Sequence, residues 1–376
     1  MNKCERARIL ILAPNAPGQG FGGAERHLQD LAKVLRPISQ SVIFRSYQDA
    51  SPPFWWERIV TWIEPMLASP LAVKRLKLPD TDVVLSVELM GVGLKHSGHI
   101  HLFFGSYSGF RDLALQPVSG HYAVIRRVKS WIARILEKRT QHQLGAVANS
   151  KGLRNELQAR CIPILEDVLL PPTDCNRFSP GDKQAARVAL GLPLDKRLIL
   201  FAGRWEYAKG ADRISKFYTF MPQDWHMVIV TPSNFTYTPL SGPQVTILTD
   251  LQTNQMIEAY RAADVLVQPS RFEGYSLVVS EAQACGCPVL TSPVGQAANL
   301  LESNDQLIRS SVINSPDDAN MWLNAIAKIL ESDHIHDNFS KAHRMYALSS
   351  VSYEVVQAAW QQFLSKVFTS YSWQSH

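Results

Sequence analysis

The chain has 376 residues, 46% hydrophobic and 19% charged, which argues against disorder and is long enough for two domains of ordinary size. Its formal net charge of +5 suits a partner carrying phosphate or an anionic surface, and is too small to indicate nucleic acid. Cys4, Cys161, Cys175, Cys285 and Cys287 are odd in number and scattered, which argues against a disulfide scaffold, and they form no Cys-x-x-Cys pairs of the kind zinc uses.

The run Ile9–Leu12 reads as a strand and is too short for the apolar region of a secretory leader. No stretch has the roughly 18 apolar residues of a membrane span. The expected location is cytoplasmic, with attachment to the inner face of a membrane left open.

Gly18-Gln19-Gly20-Phe21-Gly22-Gly23 follows that strand and matches Gly-x-Gly-x-x-Gly. Taken alone this is a dinucleotide fingerprint, and an NAD(P)-dependent oxidoreductase is the alternative function. The acidic residue expected about twenty positions later is not clear. Ala24–Leu35 reads as a helix with Leu28, Leu31, Ala32 and Leu35 on one face. Ser41–Phe44, Asp82–Val87, Ile100–Phe104 and Ala146–Ala148 are further strands. Asp80-Thr81-Asp82 has the spacing of a metal-binding pair, but its place before a strand reads as a turn cap.

Between these strands, Phe54–Trp62 carries three tryptophans. Tyr122–Arg139 is a helical pattern with six cations and one acid, Glu137. Its apolar stripe is Val124, Val128, Trp131 and Ile135. Such a helix either packs its stripe on a core or lies on an anionic membrane.

A linker is read at Val168–Pro172 and Ser179–Asp182, after which strand and helix patterns alternate again. Strands are expected at Arg197–Ala202, Met227–Thr231, Val245–Leu248, Asp264–Gln268 and Pro288–Thr291. Helices are expected at Asp212–Phe220, Gln255–Ala262, Leu277–Cys285, Ala297–Leu301 and Tyr353–Val367. The fold class is α/β, with two doubly wound Rossmann-like domains. The boundaries are 1–174, 175–350 and a terminal helix at 351–376 expected to pack back on the first domain.

The segment from Phe272 to Ala282 places Glu273 and Glu281 eight positions apart across a strand–turn–helix junction. Free backbone N–H groups and the helix dipole make such a junction an anion site. A carboxylate on each side suggests a ligand with phosphate in the middle and hydroxyls at both ends, as in a nucleotide sugar.

Four segments together resemble the retaining glycosyltransferases of family 4, which have the GT-B fold. They are Gly22-Gly23-Ala24-Glu25; Phe201–Gly210 with its Gly203-Arg204 and Lys209-Gly210; Glu273 to Glu281; and Ala284–Val289. The resemblance covers nearly the whole chain in order. It implies transfer of a sugar from a nucleoside-diphosphate sugar, with retention and without a dissociable metal, the donor being a co-substrate and no cofactor being needed. The implied acceptor is a glycan, glycolipid or other hydroxyl compound, with cell-envelope polysaccharide or lipopolysaccharide synthesis as the setting left open. Arg204, Lys209 and Glu273 are the implied catalytic residues. Gly22, Gly23, Gly274, Tyr275, Ser276, Leu277 and Glu281 are the implied donor-binding residues, Glu281 at the ribose and Ser276 also as helix cap. The polar residue that relatives carry near Phe104 or Gly105 is missing, and His101 is the nearest acceptor-side candidate. That departure keeps a catalytically silent nucleotide-sugar-binding protein open as a further alternative.

Overall fold

The computed structural model describes residues 7–15, 23–140, 144–165, 167–235 and 237–370; Gly22 and Cys4 lie outside them. The chain divides into two compact units. One holds residues 1–112, 117–172 and 353–376, and the other holds 113–116 and 173–352.

The first unit is a parallel sheet of β1 (Arg8–Leu12), β2 (Ser41–Arg45), β3 (Val83–Val87), β4 (His99–Phe103) and β5 (Ala146–Ala148), in the order β2-β1-β3-β4-β5. β3, β4 and β5 are buried along their whole length, as crossover helices on both faces require, while β2 at the edge is half-buried. Leu10 pairs with Ile43 on one side and Val84 on the other. Ile9 and Ile11 face Leu28, Leu31 and Leu35 of α1 (Gly23–Leu35). The C-terminal helix Tyr353–Ser370 joins the same core through Val356, Trp360, Phe363 and Leu364. Each of those large side chains contributes about 2–3 kcal/mol by leaving water. The Tyr353 hydroxyl donates to Asp30 Oδ1 at 2.6 Å and fixes the helix on α1. The remaining helices used below are α2 (Trp55–Ile63), α3 (Ala68–Val73) and α4 (Gly120–Lys138). Asp80 and Asp82 are both held by Arg8, at 2.8 and 3.2 Å, which gives that pair a structural partner.

The second unit is a parallel sheet of β6 (Arg197–Ala202), β7 (Trp225–Thr231), β8 (Val245–Thr249), β9 (Val265–Gln268) and β10 (Val289–Thr291), in the order β10-β9-β6-β7-β8. The chain winds outward from β6 to β8, then returns to the other side of β6 to lay down β9. The strand order therefore reverses between β6 and β9, and the crevice beyond their carboxyl ends is where open α/β sheets take ligands. The helices that matter are α5 (Ala211–Tyr218), α6 (Leu277–Ala284) and α7 (Asp333–Ser350).

α7 carries a fully buried histidine. The Val289 N–H donates to His343 Nε2 at 3.3 Å, so Nδ1 bears the proton, and the Gln283 side-chain amide sits 3.0 Å from it. The Gln283 Oε1 atom has no other partner, and a half-turn of the amide brings that oxygen to Nδ1–H. Burial lowers the pKa of His343 from 6.5 to about 3. In the first unit, burial lowers His27, stacked on Phe104 with centroids 4.0 Å apart, to about 3 as well. The unfolded chain protonates both near the ordinary value, and the folded chain does not. Stability is therefore lost as pH falls from about 6.5 toward 3, by up to about 1.4 kcal/mol per pH unit for each histidine. Denaturant unfolding followed at pH 7 and pH 5 should show this loss, and His343→Gln should make the pH dependence shallower while lowering stability at pH 7.

Candidate functional site

The loops after β6 and β9 emerge side by side because Leu200 pairs with Leu266 across these two strands. The first loop leaves β6 through Gly203 and is anchored by Trp205. Its indole is buried, its backbone N–H donates to Thr231 Oγ1 at 3.1 Å, and its Nε1 donates to the Thr238 carbonyl at 3.0 Å. The loop ends at Gly210, with φ +82°, where α5 begins. A Cβ at Gly210 would lie 2.1 Å from the Pro269 carbonyl oxygen, so the two loops touch backbone to backbone.

Two arginines fasten them. Arg271, on the second loop, donates its backbone N–H to the Ala208 carbonyl at 2.9 Å. Its guanidinium grips Asp212 at 2.6 and 2.7 Å and lies 3.6 Å above the Tyr207 ring. Arg213, buried on α5, donates to the Pro269 carbonyl at 2.9 Å and the Ser270 carbonyl at 3.2 Å, while its Nε holds Asp317 at 2.9 Å. Bidentate and charge-assisted contacts of this kind are the strong ones.

Lys209 and Glu273 meet at this junction. Lys209 Nζ lies 2.7 Å from Glu273 Oε1. The same oxygen accepts from Ser270 Oγ at 2.8 Å and from Gln268 Nε2 at 3.1 Å. Among the described residues, these three contacts all fall on Oε1. Gly295, with φ +56°, lets its own loop approach, since a Cβ there would lie 2.9 Å from Glu273 Cβ. Arg204 stands further out, 60% exposed, with Nη2 3.0 Å from Glu206 Oε1.

Glu281 is placed on the inner side of α6, 6% exposed, and accepts the Tyr260 hydroxyl on Oε2 at 2.7 Å. Gly274 and Tyr275 are buried, and burial pushes the Tyr275 phenol far above its ordinary pKa. Ser276 occupies the N-cap position of α6, but its side chain makes no capping hydrogen bond; its carbonyl instead accepts from Gln296 Nε2 at 3.1 Å. The first turn of α6, from Leu277, therefore has no side-chain cap over its amides. Cys285 and Cys287 are buried free thiols; burial raises Cys285 to about 12, which leaves it protonated and unreactive.

In the first unit, Gly23 opens α1 and is exposed. His101 is fully buried. It lies on a strand buried along its whole length, where Ser86 Oγ bonds its Nδ1 at 2.8 Å and His99 Nε2 at 2.7 Å. Its ring stands edge-on to Phe103 with centroids 4.5 Å apart, so it is packed in the sheet and not presented to an acceptor. The polar group at this unit's own order reversal, between β1 and β3, is Glu88. It directly follows β3 and holds φ +52°, a conformation costly for a non-glycine residue. The Tyr107 hydroxyl donates to Glu88 Oε2 at 2.8 Å, and burial lifts its carboxyl above the ordinary range.

Gln268, Ser270, Arg213 and Arg271 shape the junction around Lys209 and Glu273, and motif spacing misses them. For Gln268 a signal existed: it is a polar residue closing an otherwise apolar strand, and it is buried.

Sucrose-phosphate synthase from Thermosynechococcus elongatus aligns over 97% of this chain and 100% of that one, with TM-score 0.74 and 18% identity. Anabaena HepE in complex with UDP-glucose aligns over 97% and 100%, with TM-score 0.66 and 16% identity. Two parallel-sheet α/β units of this kind define the GT-B fold of glycosyltransferases. The sequence profile described as "Glycosyl transferases group 1" matches residues 182–346. A D-inositol 3-phosphate glycosyltransferase of Mycobacterium leprae is 35% identical over 330 residues, 74% of this chain and 74% of that protein. One from Mycolicibacterium gilvum is 38% identical over 143 residues, 34% of this chain and 32% of that protein. The chain belongs to the glycosyl transferases group 1 family and is a glycosyltransferase.

The contact at Gly210 gives a sharp test. Gly210→Ala combines a forced positive φ with a backbone clash. It should cost about 2–4 kcal/mol, read as a drop in the thermal midpoint, together with loss of nucleotide binding as the two loops separate.

Proposed function

We propose that this glycosyltransferase transfers its sugar with retention and without a dissociable metal, and that Arg204, Lys209 and Glu273 carry the reaction. The observation that supports this best is the Lys209–Glu273 pair beyond the β6 and β9 ends, at 2.7 Å. When the bond between the anomeric carbon and the diphosphate breaks, its electron pair leaves with the diphosphate. Lys209 supplies a point charge and Arg204 a planar fork to meet that negative charge. The uncapped first turn of α6 adds backbone N–H groups of the same sign. Glu273 is held by three donors on Oε1, which directs Oε2 to hydroxyls of the sugar.

In this reading Gly274, Tyr275, Ser276 and Leu277 line the donor through their backbone, Glu281 takes the ribose, and Gly22 and Gly23 are diphosphate contacts on the strength of the resemblance. UDP-glucose is the first donor to try, because HepE is described in complex with it. The acceptor is a glycan or lipid-linked hydroxyl compound of cell-envelope polysaccharide synthesis, met at the cytoplasmic face of an anionic membrane. On the acceptor side, Glu88 takes the place first given to His101.

Lys209→Ala should slow transfer about 100-fold or more while leaving the nucleotide Kd within a few-fold. Glu281→Ala should do the reverse and weaken nucleotide binding about 10-fold in titration calorimetry. Negligible effects of both changes would mean the site lies elsewhere. The anomeric proton coupling of the product reads retention, and full turnover in EDTA reads metal independence. Glu88→Gln should lower transfer to acceptor but not hydrolysis of the donor by water; an equal fall in both would remove Glu88 from the acceptor side.

A further inference from the structure

The face of the first unit built from α2, α3 and α4 is turned inside out. α4 is amphipathic, yet its buried positions are Ser130, Ala133 and Glu137. Its apolar stripe points to solvent at Val124, Val128 and Trp131, the last 60% exposed. α2 does the same with Ile59, Trp55 and Trp62, the two tryptophans being 75% and 82% exposed. No helix among the described residues is long and apolar enough to cross a membrane, so this is a surface feature.

The carboxylates of this face are turned away or neutralised. Glu57 caps α2 through the Phe54 N–H at 3.0 Å and pairs with Arg75. Glu64 pairs with Arg111 and Lys129, each at 3.0 Å. Glu137 is buried and accepts the Ser108 hydroxyl at 2.6 Å. What remains at the surface is aromatic and cationic, the composition of a helix pair that lies in a lipid interface.

Between the helices runs a groove of about 580 Å³, within the size range of small-molecule sites. Its floor is apolar: Val60 of α2, Leu67, Leu71 of α3, Val92, and Leu136 of α4. Lys74, Lys138 and Arg139 also line it, are exposed, and pair with no carboxylate among the described residues. A hydrocarbon floor beside three cations matches a molecule with an apolar tail and an anionic head.

We propose that this groove seats one anionic phospholipid of the membrane. Its acyl chain lies along Leu67, Leu71 and Leu136, and its phosphate sits against Lys74, Lys138 and Arg139. Trp55, Trp62 and Trp131 enter the surrounding interface. The proposal deepens, and rests on, the reading that the chain works at an anionic membrane face.

Sedimentation of the full chain with phosphatidylcholine vesicles, with and without phosphatidylglycerol, tests the surface. Three cations imply roughly 100-fold tighter binding to the anionic vesicles. Lys74→Ala, Lys138→Ala and Arg139→Ala combined should remove that preference, and Trp55→Ser with Trp62→Ser should weaken binding to both vesicles about 10-fold or more. Calorimetric titration with monomeric dihexanoyl phosphatidylglycerol tests the groove. It should saturate, and Leu71→Trp or Val92→Trp, which fill the groove, should weaken it about 10-fold or more with UDP binding unchanged. Vesicle binding indifferent to lipid charge would overturn both the groove and the membrane reading. Charge-dependent vesicle binding without saturable short-chain lipid binding would overturn the groove alone. Inorganic phosphate binding as tightly as the lipid would also overturn it, by showing a plain anion site.

Discussion

The adjacency of β6 and β9 is the constraint on which the candidate site of the second unit depends. A doubly wound sheet must return past its first strand, and at that return two loops far apart in sequence leave the sheet together. Lys209 and Glu273 are 64 residues apart and meet because of it. The meeting is tight: Gly210 abuts the Pro269 carbonyl, and any side chain there would force the loops apart.

Holding a lysine and a glutamate together with little solvent would cost more than it returns if the remaining lone pairs and N–H groups went unsatisfied. Ser270 and Gln268 offset that cost at Glu273 Oε1, donating to the same oxygen as Lys209. Arg213 and Arg271 do the corresponding work for the backbone, satisfying the carbonyls of Pro269, Ser270 and Tyr207 that a sharp turn leaves exposed to a partly dry interior. The Lys209–Glu273 pair is therefore held by the protein's own groups, which fix the direction of its charges.

Periodicity made the two sheets legible in the sequence, and motif spacing singled out Lys209 and Glu273, which the fold brings together, because those signals are local. What was not legible is tertiary. Ser276 has the residue type of a cap and sits at the cap position, yet the Gln296 contact and the turn geometry leave its hydroxyl out of the bond. His101 lies close to where the resemblance calls for a polar residue, but both faces of its strand are covered, and Ser86 holds the ring inside. Glu88 announces itself only through a positive φ, which no composition shows. The helices Ala319–Leu330 and Asp333–Ser350 carry no motif, and their buried faces emerge only in the core they fill through Trp322, Ile326 and Phe339.

α4 shows the same limit from the other direction. Its period declares an apolar stripe but not which way the stripe faces. What decides is the neighbour: Glu137 must accept from Ser108 and from the Tyr107 and Ser108 backbone, and these bonds turn the acid inward at the helix end. Ser130 and Ala133 lie on the same side, and Ile132 and Leu136 pack half-buried beside them against Met66 and Leu89. Trp131 and Val128 are left on the outside by geometry and not by sequence preference. An exposed apolar surface of this extent invites aggregation unless something covers it. The cations beside it restrict what that cover can be, since an apolar protein partner would have to desolvate them, whereas an anionic lipid surface pairs with them and receives the tryptophans in one step.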